Sequence, residues 1–186
     1  MASASTRGLL ADLLRVLGRP GPLLILPHDN PDPDAMASAV TLKYLVNRLL
    51  EKEAHIVLGG IVGRAENRAM RTYLNITLVP VSEVAFDDRV DVALVDTQPG
   101  RSNNSLPDGV VPTVVIDHHP AYAEYPGVPF LDLRDQYGAT STMSAEPCVL
   151  LREFAVISDQ SVRLTAVPAG TLPMLLASVA AAASLC

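Results

Sequence analysis

His28, Asp29, Asn30, Pro31, Asp32, Pro33 and Asp34 follow one another, so an imidazole and two carboxylates, His28, Asp32 and Asp34, fall within seven residues on a segment stiffened by two prolines. Oxygen and imidazole donors of this kind suit Mn²⁺ or Mg²⁺ better than a thiophilic ion. A plainer chemistry is open to the same residues, because Asp34 is suited to cap a following helix and Asp32 and Asn30 to form turns. Two further groups stand downstream: Asp96, in Val95-Asp96-Thr97-Gln98-Pro99, and the triplet Asp117-His118-His119 before Pro120. An aspartate at a strand end is ordinarily a cap or turn former, and adjacent histidines are often a surface pair. The three clusters gain weight together, because the surrounding sequence predicts that they share one edge of a sheet.

The elements that must position them are legible from apolar spacing. Leu9, Leu10, Leu13, Leu14 and Leu17 recur at helical intervals, with Asp12 and Arg15 between them, and Arg19-Pro20-Gly21-Pro22 breaks the pattern. Leu23 to Leu26 is a short continuous apolar run of the kind found in buried parallel strands. The polar segment Pro27 to Asp34 follows, and Ala35 to Glu53 carries a wide helical stripe of Met36, Val40, Leu42, Tyr44, Leu45, Leu49 and Leu50. His55 to Leu58 predicts a second strand and Glu66 to Leu74 a short helix. Val90 to Val95 and Val111 to Ile116 predict two strands leading into Asp96 and Asp117, Phe130 to Leu133 a last strand, and Thr140 onward a helix. This alternation predicts an α/β fold, an open and mostly parallel β-sheet flanked by helices, with ligands at the carboxyl edge of the strands. Asp34, Asp96 and Asp117 all fall on that edge.

The totals bound the function. A chain of 186 residues accommodates one domain with a hydrophobic core, and 49% hydrophobic against 18% charged residues excludes disorder. A net charge of −6 and a pI near 5.1 argue against capture of long duplex nucleic acid, which requires clustered Lys and Arg. A phosphorylated partner is therefore expected to be small or held by metal. Two cysteines, Cys148 and Cys186, without CxxC spacing, fit a reducing cytoplasm. The amino-terminal segment reads as an amphipathic helix rather than a signal. The run from Leu164 to Cys186 is uncharged, but Pro168, Gly170 and Pro173 and the lack of basic flanks argue against a membrane span. No oligomeric state follows from these patterns.

The pattern H-x-N-P-D-x-D-x-x-x-S, a strand-end aspartate and then D-H-H resembles the DHH phosphoesterase superfamily. His28, Asn30, Pro31, Asp32, Asp34 and Ser38 match the first motif, Asp96 the second, and Asp117, His118 and His119 the third. Gly138-Ala139-Thr140-Ser141 resembles a segment that follows the triplet, and the likeness spans roughly residues 20 to 145. The superfamily includes oligoribonucleases, 3′-phosphoadenosine 5′-phosphate phosphatases, cyclic-dinucleotide phosphodiesterases and single-strand exonucleases, with relatives among exopolyphosphatases and pyrophosphatases. The resemblance implies that His28 and Asp32 hold one Mn²⁺ or Mg²⁺ ion, that Asp34 and His118 hold a second, and that Asp96 bridges both. It implies a catalytic role for His119 facing the substrate phosphate, with Asp117 orienting a neighbouring imidazole, and substrate contacts from Asn30, Ser38 and Arg64. The implied reaction is hydrolysis of phosphoesters in short oligonucleotides or nucleotide 3′-phosphates, with phosphoanhydride hydrolysis as the nearest rival and a non-catalytic metal-binding fragment as another.

Two polar clusters, Arg64-Ala65-Glu66-Asn67-Arg68 and Asn103-Asn104-Ser105, are placed in solvated loops, with phosphate or ribose contact as the alternative. His55 reads as a strand-boundary residue. The resemblance also implies a later metal-binding aspartate and a second, glycine-rich substrate domain, and neither is found; Asp159 is the last acid, in a turn-like setting. The expected organisation is thus a catalytic domain over residues 1–163, incomplete at its C-terminal end, with an atypical apolar tail over 164–186. The shift at Ser144-Ala145-Glu146-Pro147 and the uncharged run after Arg163 suggest a divergent or out-of-register end, which sequencing the parent gene would reveal.

Overall fold

The computed structural model describes residues 4–157. Helix α1 (Ala4–Leu17) precedes strand β1 (Leu23–Leu26), helix α2 (Pro33–Leu50), strand β2 (Ala54–Leu58), helix α3 (Ala65–Tyr73) and the short strand β3 (Val79–Pro80). Strands β4 (Asp91–Val95), β5 (Val114–Asp117) and β6 (Phe130–Leu133) follow, and then helix α4 (Thr140–Ile157). The six strands form one sheet in the order β3-β2-β1-β4-β5-β6, and every pairing is parallel. From β1 the chain steps outward to β2 and β3, then returns to the other side of β1 as β4. The crevice between the carboxyl ends of β1 and β4 is the topological switch point, where open α/β sheets collect ligands.

Alternate strand residues supply the two faces of the core. Leu23, Ile25, Ala54, Ile56, Ala93, Val95, Val114, Ile116 and Phe130 face a layer to which α1 gives Leu13 and Leu17, α2 gives Met36, Leu42 and Val46, α3 gives Met70, and α4 gives Met143. The opposite face, with Leu24, Leu26, Val57, Val92, Leu94 and Val115, is covered by connections through Val84, Phe86, Leu106, Val110 and Val128. Both faces are dry, which is why these strands read as unbroken apolar runs.

Several boundaries differ from the sequence expectation, most by one residue and three by more. The fifth strand starts at Val114 rather than Val111, because Val111 is exposed and Pro112 has no N–H to give a ladder. The sheet is wholly rather than mostly parallel, and β3 was not anticipated from two residues. Helix α2 starts at Pro33, not Ala35: Asp32 is its N-cap, accepting from the amides of Asp34 (2.9 Å) and Ala35 (3.0 Å), with Pro33 in the first turn. The helix stops before Glu51, which turns left-handed at φ 51°.

At the amino edge of the sheet, Asp91 anchors a buried polar cluster. Its carboxylate accepts from Lys52 Nζ (2.6 Å), Arg19 Nε (2.5 Å) and Thr113 Oγ1 (3.0 Å), while Lys52 also donates to the carbonyls of Leu17 and Arg19. This ties the end of α1 and the α2–β2 turn to the first residue of β4. His55 lies near the same edge, paired with Glu53 at 3.1 Å, as a strand-boundary residue would. Among the described residues no helix is long and apolar enough to cross a membrane. Burial pushes the Cys148 thiol up to about 11, so it is an unreactive thiol at neutral pH. Asp159, Cys186, the boundary at residue 163 and the tail 164–186 lie outside the described residues.

Candidate metal centre at the switch point

The loop leaving β1, the end of β4 and the end of β5 bring their acids and imidazoles into one crevice. His28, Asp32 and Asp96 each offer a ligand atom within 4.8 Å of the other two, and Asp96, His118 and His119 form a second such group. Asp96 is common to both. His28 Nε2 lies 3.8 Å from Asp96 Oδ2, and His118 Nε2 lies 3.7 Å from Asp96 Oδ1 and 3.8 Å from Asp34 Oδ2. Donors bound at about 2.1 Å around one octahedral ion sit roughly 3 to 4.2 Å apart, so these gaps fit shared cations better than direct hydrogen bonds. The donor set, carboxylate oxygen and imidazole nitrogen without thiolate, suits Mn²⁺ or Mg²⁺.

Asp96 occupies an unusual position. It is 4% exposed and takes a left-handed backbone at φ 60°, rare for a residue with a side chain but easiest for Asp and Asn. Burial, and then the neighbouring charges of Asp34, Asp32 and Asp117, raise its carboxyl to about 7, against the hydrogen bond from Thr140 Oγ1 at 2.8 Å. A cation bound beside a carboxylate so placed would favour its ionised form. His28 is lowered, by burial first and against the attraction of Asp32, which keeps its ring neutral and a lone pair free at neutral pH.

The ring of His118 is oriented from behind. Its Nδ1–H donates to the Tyr137 carbonyl at 3.0 Å, leaving the Nε2 lone pair on the side of Asp34 and Asp96. The Tyr137 segment is itself held, since Arg134 contacts Tyr137 Oη, Glu146 and Asp132, and Tyr137 Oη donates to Glu146 at 2.5 Å. His119 is engaged differently: its Nδ1 bonds Asp117 Oδ1 at 2.8 Å and its side chain is half exposed. Burial pulls His119 down, but the hydrogen bond and charge of Asp117 more than offset this and leave it raised.

Asp34 does cap a helix, and the helix is α4 rather than α2. Its two oxygens accept from the amides of Thr140 (2.9 Å) and Ser141 (2.7 Å), where the first turn of α4 has unpaired N–H groups and a positive dipole end. It therefore stands beside His118 but outside both ligand groups. Ser38 is fully buried, and its hydroxyl donates to the Asp34 carbonyl at 2.8 Å, one turn back along α2 behind the acid. Asn30 is exposed, with Oδ1 accepting from Gly63 N at 3.3 Å, and Arg64 is exposed at the start of α3 beside it.

The two polar loops are structural to a degree that their composition did not reveal. Asn67 is buried and donates to the Pro31 carbonyl at 3.0 Å, bracing the loop that carries Asp32. Ser105 Oγ donates to both oxygens of Asp29 (2.8 and 2.9 Å), and the Asn103 carbonyl accepts from Asp29 N at 2.6 Å. Gly60 is required there, because a Cβ would collide with the Asp29 carbonyl oxygen.

Gln98 is the residue sequence reasoning missed. It is fully buried, and its Nε2 donates to Asp117 Oδ2 at 2.6 Å and to the carbonyls of His119 and Pro120, while Oε1 accepts from Tyr122 N and Tyr125 Oη. Only its place two residues beyond Asp96 hinted at this. Gln98→Leu, similar in volume, is expected to destabilise the fold by about 1–3 kcal/mol through unpaired buried groups and to lower any activity of the centre about 10- to 100-fold through loss of Asp117 orientation. Thermal melts and rate measurements on the variant check both, and unaltered values would assign the clamp no role.

Fold and site together define an α/β domain with a candidate two-cation centre at its switch point. No family model matches the chain. It is 38% identical over 126 residues to an uncharacterized protein of Methanocaldococcus jannaschii, a match covering 66% of this chain and 24% of that protein. It is 32% identical over 96 residues to a probable manganese-dependent inorganic pyrophosphatase of Lactobacillus gasseri, covering 52% of this chain and 30% of that enzyme, and a Lactobacillus johnsonii protein of the same description matches equally. A solved exopolyphosphatase-related protein from Bacteroides fragilis shares the fold with a TM-score of 0.52 at 13% identity, covering 82% of this chain and 46% of that one. The matched region thus spans 24–30% of the length of the curated relatives.

Proposed function

We propose that this chain carries a divalent-metal-dependent centre, of the DHH superfamily kind, that hydrolyses phosphoryl bonds in small phosphorylated substrates. The observation that carries the reading is Asp96, a buried carboxylate shared by the ligand group His28/Asp32/Asp96 and by His118, whose Nε2 lies 3.7 Å from Asp96 Oδ1. When bound, paired divalent cations lower the pKa of water and neutralise phosphoryl oxygens during in-line attack. The chain's own residues supply the rest. Thr140 fixes one Asp96 oxygen, the Tyr137 carbonyl sets the His118 tautomer, and Asp117 holds His119 by Nδ1, leaving Nε2 for a phosphoryl oxygen. Mn²⁺ is the leading cation and Mg²⁺ the alternative.

Phosphoesters of short oligonucleotides and nucleotide 3′-phosphates are one substrate class. The likeness to manganese-dependent inorganic pyrophosphatases favours a second, phosphoanhydrides. Phosphate release from pyrophosphate, a dinucleotide and a nucleoside 3′-phosphate, each with Mn²⁺, Mg²⁺ and excess chelator, tests the proposal. Cation-dependent turnover of at least one substrate is expected, and calorimetry should count two Mn²⁺ ions. Binding without turnover would reduce the chain to a metal-binding module, and neither binding nor turnover would end the reading.

A further inference from the structure

The acids of the switch point are faced across the β4 loop by a cation that the motifs do not include. Gly100 turns left-handed at φ 78°, and the next residue, Arg101, is exposed. Its backbone is fixed: Arg101 N–H donates to the Gln98 carbonyl at 3.3 Å, and Asn104 Nδ2 bonds the carbonyls of Arg101 (3.3 Å) and Gln98 (3.0 Å). Its guanidinium carbon lies 4.8 Å from the centroid of the Tyr122 ring, within range of a cation–π contact. Tyr122 is in turn fixed to the catalytic side of the crevice, since Tyr122 N–H donates to Gln98 Oε1 at 2.8 Å while Gln98 Nε2 grips Asp117 Oδ2 at 2.6 Å and the His119 carbonyl at 3.3 Å. One buried glutamine thus couples the arginine and its aromatic platform to the Asp117–His119 pair.

Among the described residues Arg101, like Arg48, Arg64, Arg68 and Arg71, forms no ion pair with a carboxylate, and of these five it is the one set over an aromatic ring. A guanidinium set over a ring and without a carboxylate partner is available for contact with an anion.

We propose that Arg101, carried on Tyr122, binds a phosphoryl group one linkage away from the group held by the metal-ligating cluster. This rests on the hydrolase reading and narrows it to substrates with at least two linked phosphoryl groups. Such a group belongs either to a phosphoanhydride chain or to a short oligonucleotide carrying a terminal phosphate. Arg101 is a binding residue here, distinct from Arg64 on the β2–α3 connection.

The test compares wild type, R101Q, R101K and the exposed control R15Q on pyrophosphate, tripolyphosphate, and dinucleotides with and without a 5′-phosphate, all with Mn²⁺. Binding of imidodiphosphate to the Mn²⁺-loaded protein is measured alongside by calorimetry, independent of turnover. R101Q is expected to raise KM about tenfold or more, with a far smaller fall in kcat, an unchanged melting temperature and unchanged Mn²⁺ affinity. R101K should recover part of the loss and R15Q should match wild type. A KM effect confined to the anhydrides, or to the 5′-phosphorylated dinucleotide, identifies the source of the second phosphoryl group. Unchanged KM and imidodiphosphate affinity in R101Q overturn the assignment even if wild type turns over. A wild type that binds imidodiphosphate through Arg101 without turnover keeps the binding residue and rejects hydrolysis.

Discussion

An Asp96→Asn variant is expected to lose cation-dependent activity by about a thousandfold or more, the equivalent of several kcal/mol of charge stabilisation. Mn²⁺ should no longer raise its melting temperature. Asparagine suits the test because it tolerates the left-handed backbone at φ 60°. The metal-free proteins should differ in the opposite sense. The Asp96 carboxyl is raised to about 7, first by burial and then by Asp34, from an ordinary 3.8. Between those values the folded chain keeps a proton that the unfolded chain has released, so this group's contribution makes metal-free wild type less stable as pH rises from about 4 to about 7, and flat above. The penalty reaches at most about 4 kcal/mol. Metal-free D96N lacks the charge, so at pH 8 it should melt above metal-free wild type. Melting curves at pH 5 and pH 8, with and without Mn²⁺, give all four quantities. A variant that still gains stability from Mn²⁺ as wild type does would remove Asp96 from the centre.

Asp91→Ala, at the far edge of the sheet, should act on the fold instead of the site. The substitution strands Lys52, whose side chain is 5% exposed, and leaves Arg19 and Thr113 without their shared acceptor. Removing one partner of a buried ion pair costs about 3–5 kcal/mol. For a domain of this size that is a fall in melting temperature of roughly 6–20 °C. Asp12→Ala, which breaks an exposed pair with Arg15, should change stability by less than about 1 kcal/mol. Mn²⁺ affinity should survive in folded D91A, because its site is at the opposite ends of the strands. Equal melting temperatures for the two variants would show that the Asp91 cluster contributes no more than a surface pair.

The two edges divide the labour of the sheet. Buried charge is paired within the chain at the amino edge, whereas at the carboxyl edge Asp32, Asp34, Asp96 and Asp117 gather with only hydrogen-bond donors and imidazoles between them. That imbalance makes cations the natural complement of the site, and it adds to burial in raising the Asp96 carboxyl.

Sequence alone determined what depends on neighbours along the chain. The apolar runs of β1 and β4, the helical stripe of α2 and the acids closing β4 and β5 are local patterns, and they announced the sheet, its carboxyl edge and the candidates His28, Asp32, Asp34, Asp96 and His118. The tertiary structure decided which of them meet. Asp34 caps a helix that begins 106 residues later, Ser38 turns inward behind it, and Gln98 clamps a loop 19 residues away, contacts that no periodicity encodes. The physical reason lies in the strand order: placing β4 beside β1 sets the His28 and Asp96 loops against each other across the switch point, and that choice is made by burying both faces of the whole sheet at once.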